Sequence, residues 1–264
     1  FISLISSKNL PNLVFVDNTS SEDVVAEYSL LFNNNISIVT CNKKGNSSSY
    51  EQYSKFKRLA KKNNVSFLYE TNVGAGLPII KTLNDLWISG DEILKIEAIL
   101  SGTISYIFNN YVGDNTFAEV VRTAQELGYT EPDPRDDLNG MDFSRKMLIL
   151  GREIGLPLEM SNVNIKDFLP EACLKAESIP AFYEELEKHE PYFSSFKNEA
   201  ENSGRKLRLI GVLEDGKINI EVQIVDANHP FFGLSGSDNI ISFTTSRYKN
   251  TPLVVKGPDE GAEV

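Results

Sequence analysis

The sequence predicts an α/β protein: an incomplete parallel sheet, followed by an α+β region whose own sheet is mixed or antiparallel. Three observations carry that reading. Short apolar runs alternate with helical patterns through the first 76 residues, as a βαβαβ unit requires. From Leu77 the alternation gives way mainly to helices. Residues 205–225, RKLRLIGVLEDGKINIEVQIV, then read as a hairpin turning at Asp215-Gly216.

Taken in order, LVFVD (13–17) is an apolar run ending in an acid and suits a buried parallel strand. A helix follows over 21–32, with Ser20 or Ser21 as cap and Glu22 and Asp23 in its first turn. ISIVTCN (36–42) is a second strand, 50–63 a helix and VSFLYETNV (65–73) a third strand. Beyond it, 79–87 reads as a helix, 93–100 as a strand, and 103–111 and 117–127 as helices. The acidic stretch 180–201 is helical with a solvated face. After the hairpin come a strand around 240–245 and one near 253–256, expected to return to the first sheet. The expected domains are therefore 1–76 with 252–264, and 77–251.

Net charge is 26 − 37 = −11 with no basic block, so nucleic acid and anionic membranes are poor partners. No run approaches the roughly 18 apolar residues of a membrane span. Cys41 and Cys173 form no metal or disulfide pattern, and with no secretory segment the expected compartment is the cytoplasm. His189 and His229 have no ligand companions and read as structural or solvent-facing. The chain starts at Phe1 without a methionine and reads as an excised piece.

The densest chemistry lies in AQELGYTEPDPRDDLNGMDFSRK, residues 124–146. Pro132 and Pro134 lack amide donors, so Thr130 to Asp137 should be extended or turned. A helix restarts at Gly140 or Met141, with Asn139 as cap and Asp142 in its first turn. Asp142 and Lys146, four residues apart, share one helix face. Lys146 lies at the edge of the stripe Phe143, Met147, Leu150, Ile154, where burial would lower its pKa and a carboxylate would raise it. This pattern suits proton transfer; it is also ordinary helix chemistry.

Three strand ends add candidates. Asp17 to Ser21 and Asn42-Lys43-Lys44 follow strands, where open α/β sheets bind ligands. ETNVGAGL, from Glu70 to Leu77, offers one carboxylate and several backbone oxygens, which suits a hard cation or a glycine-rich hinge. Ser101-Gly102-Thr103 opens a helix whose N-terminus could receive a carboxylate.

The order Ala124, Gly128, Tyr129, Thr130, Asp133-Pro134, Asp137-Leu138, Gly140, Asp142, Lys146 resembles the homoserine dehydrogenase signature. VDNTSS, TCNKKG, ETNVGAGLPII, SGTISYIFN and TPLVVKGP extend the resemblance along nearly the whole chain. The run HPFFGLSGSDNIISFTTSRYKNTPLVVKGP looks most like the dehydrogenase part of bifunctional aspartokinase–homoserine dehydrogenases. The resemblance implies a Rossmann-type nucleotide domain plus a catalytic and dimerisation domain. It implies interconversion of L-homoserine and L-aspartate 4-semialdehyde with NADP or NAD, in aspartate-family amino-acid biosynthesis leading to threonine and methionine. Lys146, Lys43 and Asp142 become the catalytic residues. Glu131, Asp137, Asp142, Gly102 and Thr103 become the substrate contacts. Asn18, Thr19, Lys43, Gly257 and Gly261 would meet the cofactor. A sodium-like ion would sit on Glu70 and the carbonyls of Val73, Ala75 and Leu77.

Two departures qualify the resemblance. GxGxxG is absent, the chain beginning downstream of it, and Asp259-Glu260 interrupts the expected GPGAGAEV. A rival reading is therefore a non-catalytic dimerising or regulatory module of a longer, aspartokinase-linked polypeptide. Edge strands in the second region make a homodimer or higher homo-oligomer the expected assembly.

Overall fold

The computed structural model describes residues 10–166 and 168–258. Strands β1 (Val14–Asp17), β2 (Ser37–Thr40) and β3 (Phe67–Leu68) form a parallel sheet in that order. Helices α1 (Glu22–Ala26) and α2 (Tyr28–Asn33) cross from β1 to β2. The expected single helix is interrupted at Glu27. Helices α3 (Lys43–Asn46) and α4 (Tyr50–Lys62) cross from β2 to β3. Three of these four starts carry a side-chain cap: Ser21 Oγ accepts from Val24 N, Asn42 Oδ1 from Lys44 N and Ser49 Oγ from Gln52 N. Tyr28, Leu31, Phe32, Ile38 and Phe56 form the core beneath these helices. On the opposite face Val14, Val16 and Leu68 are each more than half exposed, with Val39 between them in register. The third strand is shorter than expected because the chain tightens into a 3₁₀ turn at Glu70–Asn72.

The second region begins with α5 (Ile79–Ile88), β4 (Ile93–Ile99), α6 (Gly102–Asn110) and α7 (Phe117–Glu126). Helices α8 (Arg135–Leu138) and α9 (Met141–Glu153) and strand β5 (Val163–Ile165) follow. Next come α10 (Glu171–Leu174), α11 (Ile179–Lys188) and α12 (Glu190–Asn202). Strands β6 (Lys206–Glu214), β7 (Lys217–Val225), β8 (Asn239–Thr245) and β9 (Leu253–Gly257) end the described chain. The six strands order as β5-β7-β6-β4-β8-β9, antiparallel throughout except β5 beside β7. Asp215 (φ 49°) and Gly216 (φ 72°) make the two-residue β6–β7 turn, as a left-handed hairpin turn demands.

Two expectations need correction. The strand near 253–256 does not return to the three-stranded sheet: β9 lies antiparallel against β8. The short stretch 246–252 suits a return to the neighbouring strand, and Leu253 and Val255 pack on the larger core. The stretch 130–137, expected to be extended or turned, ends in helix, because Pro134 (φ −58°) adopts the helical region and α8 starts after it.

Helix α9 links the two sheets. It packs on β6 where Gly211 has no side chain; a Cβ there would meet Met147 Sδ at 2.9 Å and Phe143 Cε2 at 3.0 Å. At its C-terminal end Arg152 donates to Asn46 O at 2.8 Å and, through Nε, to Leu158 O at 3.0 Å. Glu153, its side chain 2 % exposed, accepts from Tyr53 (3.0 Å), Asn84 (3.3 Å) and Tyr69, and pairs with Lys57 (3.3 Å). Burial and the Glu153 charge both raise the two phenol pKa values, so the phenols remain donors. Glu159 adds a bond from Tyr50 N at 2.8 Å.

Glu153→Ala strands those donors in a buried site, and is expected to cost about 3 kcal/mol of unfolding free energy. Urea denaturation reads this directly; a loss below about 1 kcal/mol would show that the clasp does not hold the two regions together.

Candidate active site

The site begins at the ends of β1 and β2. Asp17, buried, accepts from Thr19 N and Oγ1 (2.8 and 2.7 Å), Tyr28 OH (2.5 Å) and Asn42 Nδ2 (3.0 Å). Burial alone would raise its pKa, but these donors hold it below the ordinary value. Asn42 also receives Lys44 N, so the network sets where α3 begins. Lys43, the first residue of α3, then points at α9 from a fixed origin.

On α9, Gly140 (φ 72°) supplies the left-handed turn from α8, and Asn139 Oδ1 accepts from Met141 N at 2.8 Å. The cap is thus Asn139 acting one residue early. Asp142 follows in the first turn and receives both lysines: Lys146 Nζ at 2.9 Å on Oδ2 and Lys43 Nζ at 3.1 Å on Oδ1. Lys146, its side chain 10 % exposed, also donates to Leu100 O at 2.6 Å. For Asp142, burial pushes the pKa up, yet Lys146 and then Lys43 pull it down to about 2.

A cleft of about 360 Å³ opens beside this pair. Lys43, Ser101, Glu131, Asp136, Asp137 and Asp142 are among its walls. Asp137 accepts from Glu131 N at 2.8 Å and Thr103 Oγ1 at 3.1 Å. Burial foremost, with the charges of Glu131 and Asp142, raises its pKa despite those donors. Ser101 Oγ caps α6 by accepting from Ile104 N at 3.2 Å, with Gly102 and Thr103 buried in its first turn. Four carboxylates face one wall lysine, so the cleft favours a ligand carrying an ammonium.

The expected residues do not all meet there. Lys43, Asp142, Lys146, Glu131, Asp137 and Thr103 converge, and Asn18 and Thr19 lie exposed at the end of β1. Glu70 is elsewhere, accepting from Ile80 N (2.8 Å) and Lys81 N (2.9 Å) at the start of α5. Of its expected companions, Leu77 O already accepts from Ile79 N, and Ala75 holds a φ of 51°. Among the described residues no group of three or more His, Cys, Asp or Glu side chains could hold a metal ion. Gly257 packs on Leu77, where a Cβ would come within 2.8 Å of Cδ2. Gly261, Asp259 and Glu260 lie outside the described residues.

Sequence reasoning missed the Leu100 carbonyl beneath Lys146, the Asp17 network and the Arg152–Glu153 clasp. Two of these had a signal: an acid ending an apolar strand, and a charged pair closing the apolar run LILGRE. The carbonyl had none.

A family model described as homoserine dehydrogenase matches residues 78–264. The chain is 46% identical over 257 residues to the chloroplastic bifunctional aspartokinase/homoserine dehydrogenase 2 of Arabidopsis thaliana. That match takes in 97% of the chain and 28% of the plant protein, so the chain spans under a third of that relative's length. It is 42% identical over 271 residues to the homoserine dehydrogenase of Schizosaccharomyces pombe, covering 100% of the chain and 72% of that protein. Among solved structures, a Candida auris protein of unknown function superposes with a TM-score of 0.93 at 37% identity, over 99% of this chain and 75% of that one. A hyperthermophilic archaeal homoserine dehydrogenase mutant in complex with NADPH shares the fold, with a TM-score of 0.72 at 23% identity over 95% and 67% of the two chains.

The Asp142 charge should survive strong acid. Its bridging contribution is fully present above the ordinary value of 3.8 and is lost as pH falls through about 2. Carboxyl ¹³C shifts should give a midpoint near 2, moving up in Lys146→Met; a wild-type midpoint at 3.8 would contradict the bridge.

Proposed function

The chain belongs to the homoserine dehydrogenase family, and we propose that it carries the substrate site of an enzyme interconverting L-homoserine and L-aspartate 4-semialdehyde in aspartate-family amino-acid biosynthesis. The observation carrying this reading is the Lys43–Asp142–Lys146 chain on the edge of an acid-rich cleft. Homoserine brings an ammonium, a carboxylate and a hydroxyl, and the cleft has a complement for each. Glu131, Asp137 and Asp142 receive the ammonium. The amides at the start of α6, Gly102 and Thr103, receive the carboxylate. The hydroxyl lies between the two lysines.

Lys146 moves the hydroxyl proton, accepting it in the oxidising direction once its own proton has passed on, and returning it in the other. Asp142 holds that amine against α9. Lys43, nearer the cleft opening, sets positive charge beside the substrate oxygen. A bound nicotinamide dinucleotide supplies the hydride acceptor or donor. Asn18, Thr19 and Lys43 suit its nicotinamide half. Asn18 is exposed and Thr19 is engaged by Asp17 through both N and Oγ1, so the Asn18 side chain is the available donor. Gly257 and Gly261 would lie further along the cofactor. The NADPH named for the archaeal relative favours NADP over NAD. The exposed Val14, Val16, Val39 and Leu68 face supports further elements completing the nucleotide domain, whose described part is the three-stranded sheet.

A homodimer and a covalent aspartokinase partner complete the proposal, the second from the fused relatives. No helix of the described residues is long and apolar enough to cross a membrane. Both cysteines are free, which suits a reducing cytoplasm or, as the plant names suggest, a plastid.

Homoserine-dependent NADPH formation by the chain in its natural polypeptide tests the reading. Lys146→Ala should fold normally and lose roughly 100-fold or more in kcat. Full turnover in that variant would remove Lys146 from proton transfer, and silence of the folded wild type would favour a non-catalytic module.

A monovalent cation on Glu70, Val73, Ala75 and Leu77 is expected to raise the thermal midpoint in sodium chloride relative to choline chloride at equal ionic strength. Glu70→Gln should abolish that difference. Equal midpoints in the wild type would leave Glu70 as the cap of α5 alone.

A further inference from the structure

We infer a second ligand site, for a small organic dianion, in a cavity of about 500 Å³ that adjoins the cleft without sharing a lining residue with it. The same two helices serve both. On α9, Asp142 faces the cleft while Met141 and Arg145, four residues apart, line the second cavity. On α3, Lys43 faces the cleft and Lys44 the cavity. Gln52 at the start of α4, Met160 and the exposed Glu22 add to its walls, so two cations face one carboxylate there.

Arg145 carries the inference. In a chain of net charge −11, this half-buried guanidinium makes no hydrogen bond or ion pair among the described residues. A planar guanidinium fork without a counter-charge matches a carboxylate. Lys44 reaches only the exposed Glu22, at 3.4 Å, and can turn from it. The Ser47 and Ser48 hydroxyls donate to Lys43 O (2.9 Å) and Gly45 O (2.8 Å), so the cations and the Gln52 amide are the donors left for an anion. Met141, Met160 and Val25 give the cavity apolar wall, which favours a dicarboxylate with a short hydrocarbon over a bare phosphate. Such a ligand would join α3 to α9, as the Lys43–Asp142 pair does, and so stabilise the folded chain.

Calorimetric titration and thermal melts with succinate, with inorganic phosphate as the competing arm, test this on the chain as it stands. Expected are saturable succinate binding and a raised thermal midpoint. Arg145→Gln should weaken binding by roughly 10-fold or more and Lys44→Gln by a few-fold, with unchanged circular dichroism. Arg58→Gln, an exposed cation on α4, should bind as the wild type does. No saturation by about 50 mM succinate, or full binding by Arg145→Gln, would overturn the site. Equal loss in Arg58→Gln would reduce it to charge screening, and binding of phosphate alone would overturn the dicarboxylate. Because the readout is binding, its failure is separate from failure of the redox reading.

Discussion

The Asp142 carboxylate is the constraint on which the site depends. One oxygen meets Lys146 of its own helix and the other meets Lys43, which arrives from the three-stranded sheet. Movement between the sheets would therefore pull Lys43 away from Asp142. Helix α9 resists such movement at both ends. Its first turn carries Asp142, and its last residues carry Arg152 and Glu153, whose partners lie largely in the other region. Gly211 lets the middle of the same helix lie close on β6. Position along one rigid element thus converts buried polar contacts at one end into geometry at the other.

Charge in the cleft follows from the same arrangement. Asp142 is held ionised by two ammonium groups, while Asp137, facing other carboxylates, is pushed upward by burial. Two chemically identical side chains are driven in opposite directions by what surrounds them. An ammonium entering the cleft would relieve the crowding around Asp137.

Local rules made part of this legible in the sequence. The four-residue spacing of Asp142 and Lys146, the Asp215-Gly216 turn and the serine caps all depend on neighbours within a few residues. The contacts that finish the site do not. Leu100 O meets Lys146 across 46 residues of chain, and Tyr53 meets Glu153 across 100. No spacing in the sequence encodes those separations. The neighbour of β9 is illegible for a related reason: the sequence marks a strand near 253–256, but the choice of neighbour is made by the whole sheet. The break at Glu27 and the helical turn after Pro134 are smaller departures, where a boundary depends on the exit direction of the chain.

In the proposed function the two lysines act as one unit through Asp142. A double-mutant cycle with Lys43→Met and Lys146→Met, read as kcat/KM for homoserine in the natural polypeptide, measures that coupling directly. The account predicts strong non-additivity, with the double variant little worse than the weaker single one. Additive losses would mean that the lysines act independently, and that the bridge seen between them is not the basis of the chemistry.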